Sequence, residues 1–140
     1  MLKITLLIWP ASTTMSTEST GSKMHNLAEK QELLNTRIRE TLSECMGKVH
    51  SYDRDASVIL YGSQARGQAT AGSDLDLLVL LSSEMPSELN NQIHDSLYEV
   101  ALEKDIVISS IIKSRSSWEQ PISRATPLYQ SIRSEGILVA

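Results

Sequence analysis

Asp74 and Asp76 stand at the head of DLDLLVLL, a run whose other members are leucine and valine. On an extended strand alternate side chains share a face, so the two carboxylates project together while Leu75 and Leu77 turn the other way. Two like charges side by side repel, and burying either without compensation is costly. A divalent cation resolves both problems. Mg2+ takes hard oxygen ligands and is held by one or two carboxylates together with substrate phosphates. A third acid, Asp105, opens the later run DIVISSII. If that run forms the neighbouring strand, Asp105 falls beside the pair and helps to hold two ions, the arrangement that stabilises both entering and leaving oxygens of an in-line displacement.

Upstream lies Gly62-Ser63, in the loop GSQARGQATAGS that links the aspartates to the run SVILY. Gly62 has no side chain, so backbone can approach a ligand closely. Ser63 offers a hydroxyl and an amide at an expected helix start, a place that receives phosphate oxygens. The loop is expected to hold a triphosphate, and the aspartates the metal bound to it.

The elements that position these residues follow from periodicity. Leu27, Gln31, Leu34, Ile38, Leu42, Cys45 and Val49 recur at spacings of three and four, all apolar but Gln31. They predict one long amphipathic helix from His25 onward, broken by HSYDRDA. SVILY, Ser57 to Tyr61, predicts a first strand; Asp74 to Leu81 a second; Asp105 to Ile112 a third. A helical turn is expected in the first half of the Gly-Ser loop. Pro86 suits the first turn of a helix whose apolar face is Leu89, Ile93, Leu97, Val100 and Ala101. A last helix is predicted over Pro127 to Glu135, with Gly136 as its stop. This order gives an α/β (α+β) fold, a small mixed sheet with packed helices.

The whole chain narrows the partners. Its 140 residues fit one domain. A net charge of −4 argues against a broad nucleic-acid footprint, which needs a basic face, but leaves a nucleotide open. The single cysteine, Cys45, permits no internal disulfide, fits a reducing cytoplasm and reads as a small core residue. No apolar run is long enough for a membrane span. Residues 1–24 are expected to be a disordered tail or an overlong start, with Met15 and Met24 as alternative starts and only a faint likeness to a signal peptide. The domain proper is expected over 25–140.

Gly62-Ser63, ten residues, Asp74-x-Asp76, and then Asp105 together resemble the DNA polymerase beta nucleotidyltransferase superfamily. The finer pattern GSQARGxxxxxSDLDLLV is similar to its minimal nucleotidyltransferase branch. The resemblance covers most of Ser57 to Ile112 and more weakly PLYQSIRSEGILV. It implies a polymerase-beta-type fold and Mg2+ cofactors, two ions, with Mn2+ as a substitute. Gly62 and Ser63 would contact nucleotide phosphates, Asp74 and Asp76 would ligate both metals, and Asp105 would ligate the catalytic one. Arg66 takes the family's basic position, where it contacts a phosphate or pairs with a carboxylate. The implied reaction moves a nucleoside monophosphate from ATP or another nucleoside triphosphate to a hydroxyl. The branch is commonly paired with a small helical HEPN-type protein in toxin–antitoxin pairs, which makes an antitoxin acting on that partner the first reading. A small-molecule transferase of the aminoglycoside kind and a non-catalytic module that masks its partner are the alternatives.

Other chemistries fit less well. GSQARGQA lacks the Lys-Ser/Thr of a phosphate-binding P-loop. His25, His50 and His94 are scattered, without zinc-ligand spacing. Trp9 and Trp118 lie outside the motif, and Trp118 is expected to pack against the core.

Overall fold

A computed structural model describes residues 25–26, 34–70 and 72–139. The expectations for residues 1–24, Trp9 among them, and for Leu27 and Gln31 lie outside the described residues. The described elements run β1 (His25–Asn26), α1 (Thr36–Tyr52), β2 (Ser57–Tyr61), α2 (Ser63–Arg66), β3 (Leu75–Leu81), α3 (Ser87–Lys104), β4 (Ile108–Ser114), α4 (Arg115–Trp118), α5 (Pro121–Arg124), α6 (Pro127–Glu135) and β5 (Ile137–Leu138).

The strands form one mixed sheet in the order β1-β5-β2-β3-β4. β2 and β3 pair antiparallel, with Tyr61 opposite Asp76. β3 and β4 pair parallel, with Asp76 opposite Ser109. β5 lies antiparallel to β2 and parallel to β1.

Alternation along β3 divides the apolar core in two. Leu75, Leu77, Val79 and Leu81 face α1 and α3, joining Ile38, Leu42, Cys45, Val49, Ile93, Leu97 and Val100. Leu78 and Leu80 face the other way, onto Trp118, Tyr129 and Ile132. The Trp118 and Tyr129 rings stack obliquely, centroids 5.0 Å apart. Asp74 and Asp76 share the parity of Leu78 and Leu80, so they lie on the α6 side of the sheet.

Several boundaries differ from the sequence reading: α1 runs on to Tyr52, β3 starts at Leu75 and β4 ends at Ser114. His25 and Asn26 pair as a strand, not a helix. α1 begins at Thr36 because Asn35 is its N-cap, its side-chain oxygen accepting from the Ile38 amide at 2.9 Å. Pro86 caps α3 from outside its first turn. The third strand starts at Ile108, not Asp105, because α3 continues through Lys104 and turns out at Asp105. The helical turn after Gly62, the strand over Ser57–Tyr61 and the helix over Pro127–Glu135 are found as expected.

The opposite end of β3 is fastened by Asp53, whose carboxylate accepts from the Ser82 amide at 2.7 Å and from its hydroxyl at 3.0 Å. Cys45 is buried. His50 contacts the Ala56 carbonyl through Nε2 and His94 the Ser110 hydroxyl through Nδ1. Among the described residues, no helix is long and apolar enough to cross a membrane.

Candidate active site

β2 ends at Tyr61, and the chain passes into α2 through Gly62 at φ 79°, ψ −159°. That backbone conformation is essentially restricted to glycine. A second constraint acts from across the sheet. A Cβ on Gly62 would run into the Asp76 carboxylate, which packs directly on the glycine backbone. The missing side chain therefore does two things: it permits the turn, and it lets the loop backbone sit against an acid. α2 is a single turn, closed by Arg66 N–H to Gly62 O at 3.1 Å and by Gly67 in the left-handed region. So short a helix adds little dipole; what Ser63 offers a ligand is its own hydroxyl and amide.

The loop returns through a turn at Thr70 and Ser73. The Thr70 amide donates to the Ser73 hydroxyl at 2.8 Å, and the Ser73 amide to the Thr70 carbonyl at 3.0 Å. The next residue is Asp74, exposed, one position before β3. Leu75 is then fixed to the Val107 carbonyl at 2.8 Å, which sets the register with β4. Asp76 follows, half-buried.

The electrostatics link three of the expected residues. Burial raises the Asp76 carboxyl above the ordinary carboxylate range, the Asp74 charge raises it further, and Arg66 pulls it back. Tyr61, beside Asp76 on β2, is raised by burial and then by the Asp76 charge. Arg66 donates to Gln68 at 3.0 Å and pairs with Glu135 at 3.3 Å. Of its two expected roles, the carboxylate pair is present, with Glu135 as partner. That pair is exposed, screened and weak, so it holds Arg66 only loosely.

Asp105 is not on the strand beside this group, which corrects its place in the sequence reading: β4 starts only at Ile108. It is the C-cap of α3, at φ 55°, ψ 52°. Its carbonyl accepts from Arg37 at 2.8 Å. It lines a cleft of about 800 Å3 with Arg37, Tyr98, Leu102 and Val107, which neither Asp74 nor Asp76 reaches. Left-handed backbone outside glycine is uncommon, but aspartate tolerates it, so the helix ends here without a glycine signal. Among the described residues no three His, Cys, Asp or Glu side chains come together as a metal set.

Two carboxylates on one sheet face, with Asp76 raised by burial and then by the Asp74 charge and packed against the Gly62 backbone, fit one Mg2+ that also binds phosphate. The sequence reading did not single out Ser109 or Tyr61, the two residues that flank Asp76 across the sheet. Alternation in ISSII carried a signal for Ser109, since Ser109 and Ile111 share a face.

The fold and site define an α/β domain with paired strand carboxylates and a glycine turn against them. The family model described as nucleotidyltransferase domain matches residues 39–137, well over half of the chain. The chain belongs to this family, which is consistent with a minimal nucleotidyltransferase of the polymerase beta superfamily. Its members transfer nucleotidyl groups and typically depend on a divalent metal. A comparison with individually curated proteins finds no match.

Proposed function

We propose that this chain transfers AMP from ATP to a hydroxyl on a partner protein, as the antitoxin of a pair whose other member is a small helical HEPN-type protein. The observation that carries the site is the packing of Gly62 against Asp76, with Asp74 and Arg66 acting electrostatically on the same carboxylate. In this reading Asp74 and Asp76 hold Mg2+ or Mn2+. Gly62 and Ser63 bring backbone amides and a hydroxyl to the phosphates. Arg66 leaves its weak pair with Glu135 to meet a phosphate. A bound divalent ion would supply charge neutralisation on the triphosphate. The acceptor oxygen forms a bond to the α-phosphorus, the bond from that phosphorus to the bridging oxygen breaks, pyrophosphate leaves with the electron pair, and the hydroxyl proton passes to solvent.

The test is incubation with ATP labelled at the α-phosphate, Mg2+ and the product of the neighbouring gene. Label on that protein is expected, and its loss in Asp74→Asn with Asp76→Asn. Label on an aminoglycoside instead would replace the protein acceptor by a small molecule.

A second reading, a module that masks its partner without transfer, is favoured by one observation: Asp105 caps α3 instead of opening the strand beside the pair. Protection of a cell from the partner by the Asp74→Asn, Asp76→Asn protein would establish masking.

A further inference from the structure

Resting on this nucleotide-site reading, we propose that the site takes a single divalent ion, the one that accompanies the nucleotide phosphates, and that Ser109 occupies the position from which a carboxylate would have to hold a second.

The parallel register fixes this position. Leu75 lies opposite Ile108, Asp76 opposite Ser109 and Leu78 opposite Ile111. Ile111 packs on the Leu78 and Leu80 side of the sheet, so Ser109, two residues before it, projects on the face that carries Asp76. On the other flank of Asp76 stands Tyr61. The lateral neighbours of this carboxylate are therefore a hydroxyl and a phenol. The acid expected here, Asp105, lies four residues earlier in sequence, at the reversal that ends α3.

Charge decides what such a set can hold. Two dications in a two-metal site stand about 3.5–4 Å apart and repel strongly. Acids bridging or flanking them must offset that repulsion. Asp74 and Asp76 with the triphosphate suffice for one hard cation. A neutral serine hydroxyl adds a weak oxygen ligand and no charge. The acceptor hydroxyl in this site consequently lacks a protein-held ion of its own.

Equilibrium dialysis with Mn2+ and the non-hydrolysable analogue α,β-methylene-ATP reads the metal count directly, as protein-bound Mn2+ per protein-bound nucleotide. One Mn2+ per nucleotide is expected for the natural chain, and the same for Asp105→Asn. In Ser109→Asp a second Mn2+ is expected, about 4 Å from the first, with the broadened paramagnetic resonance spectrum of a coupled pair. Two ions in the natural chain would overturn the proposal while leaving the nucleotide-site reading intact. Two in the natural chain and one in Asp105→Asn would return the missing ligand to Asp105. A count still of one in folded Ser109→Asp would overturn the assignment of that position to Ser109. Should that variant fail to fold, the counts on the other two proteins decide. Absence of both nucleotide and Mn2+ from the natural chain would remove the proposal and the reading beneath it.

Discussion

Replacing Gly62 by alanine meets two obstacles at one atom. The backbone there is in a region essentially reserved for glycine, and the new methyl would displace the Asp76 carboxylate. The backbone strain alone costs about 1–3 kcal/mol. The displaced carboxylate adds a loss specific to the ligand. Gly62→Ala should lower stability by that order in a denaturant melt, yet abolish Mg2+-dependent ATP binding in calorimetry. Retained binding in the destabilised protein would make Gly62 a structural turn only. Asp76 gives the complementary case. Its folded carboxyl is raised, so the native state holds the proton more tightly than the unfolded chain, and this group's contribution to stability falls as pH rises from about 4 through the raised value. At neutral pH the full cost is present. Asp76→Asn should therefore raise the melting temperature at pH 7 without divalent ions, and the gain should shrink as pH approaches the unfolded carboxyl range. A mutant that melts lower at pH 7 would show that Asp76 makes a stabilising contact instead.

At the scale of elements, legibility tracked the strength of local signals. β2 was readable because SVILY is a compact run bounded by polar residues and Gly62. α6 was readable because Thr126 and Pro127 open it and Gly136 closes it, with the Thr126 hydroxyl accepting from the Tyr129 amide at 3.1 Å. The start of β4 was not readable, because α3 ends on an aspartate in left-handed backbone rather than on a glycine. β1 and β5, two residues each, are too short to show a period. The Asp74 and Asp76 pair was visible because two charges interrupt a leucine run, whereas the place of Ser109 opposite Asp76 required a strand register. Gly136 carries a prediction of its own. Its φ of −66° suits any residue, so conformation does not demand glycine. Space does: a Cβ would stand 2.6 Å from the Ile132 carbonyl and 2.9 Å from Ile59 Cγ2. Gly136→Ala should cost about 1–3 kcal/mol as an overpacked substitution, measured by chemical denaturation. A neutral result would mean that α6 can shift away from the sheet.

For the whole molecule, the sheet separates two cores, and the candidate site sits at the end of the sheet where the α6-side core gives way to polar residues. Cys45 lies in the opposite core, between α1 and the sheet, fully buried. It thus reports on the integrity of the body that holds β2 and β3 in register. Burial, and secondarily the charge of Glu44, pushes its thiol up to about 12. In the unfolded chain the thiol ionises near pH 8.5. Above that pH the unfolded state has lost a proton that the native state keeps, so stability falls as pH rises, by about 1.4 kcal/mol per unit, until the folded thiol itself ionises. Tyr61 and Tyr129, also raised by burial, contribute in the same direction at higher pH. The comparison with Cys45→Ala isolates the thiol, because the cavity that alanine leaves lowers stability equally at every pH. Between pH 8.5 and 10 the natural chain should lose about 1.6 kcal/mol more than the mutant in urea melts. The native thiol should meanwhile resist a disulfide reagent at pH 8, reacting only at the rate at which the core opens. Equal pH slopes, or rapid labelling without denaturant, would show that α1 separates from the sheet locally and that the two cores do not open as one.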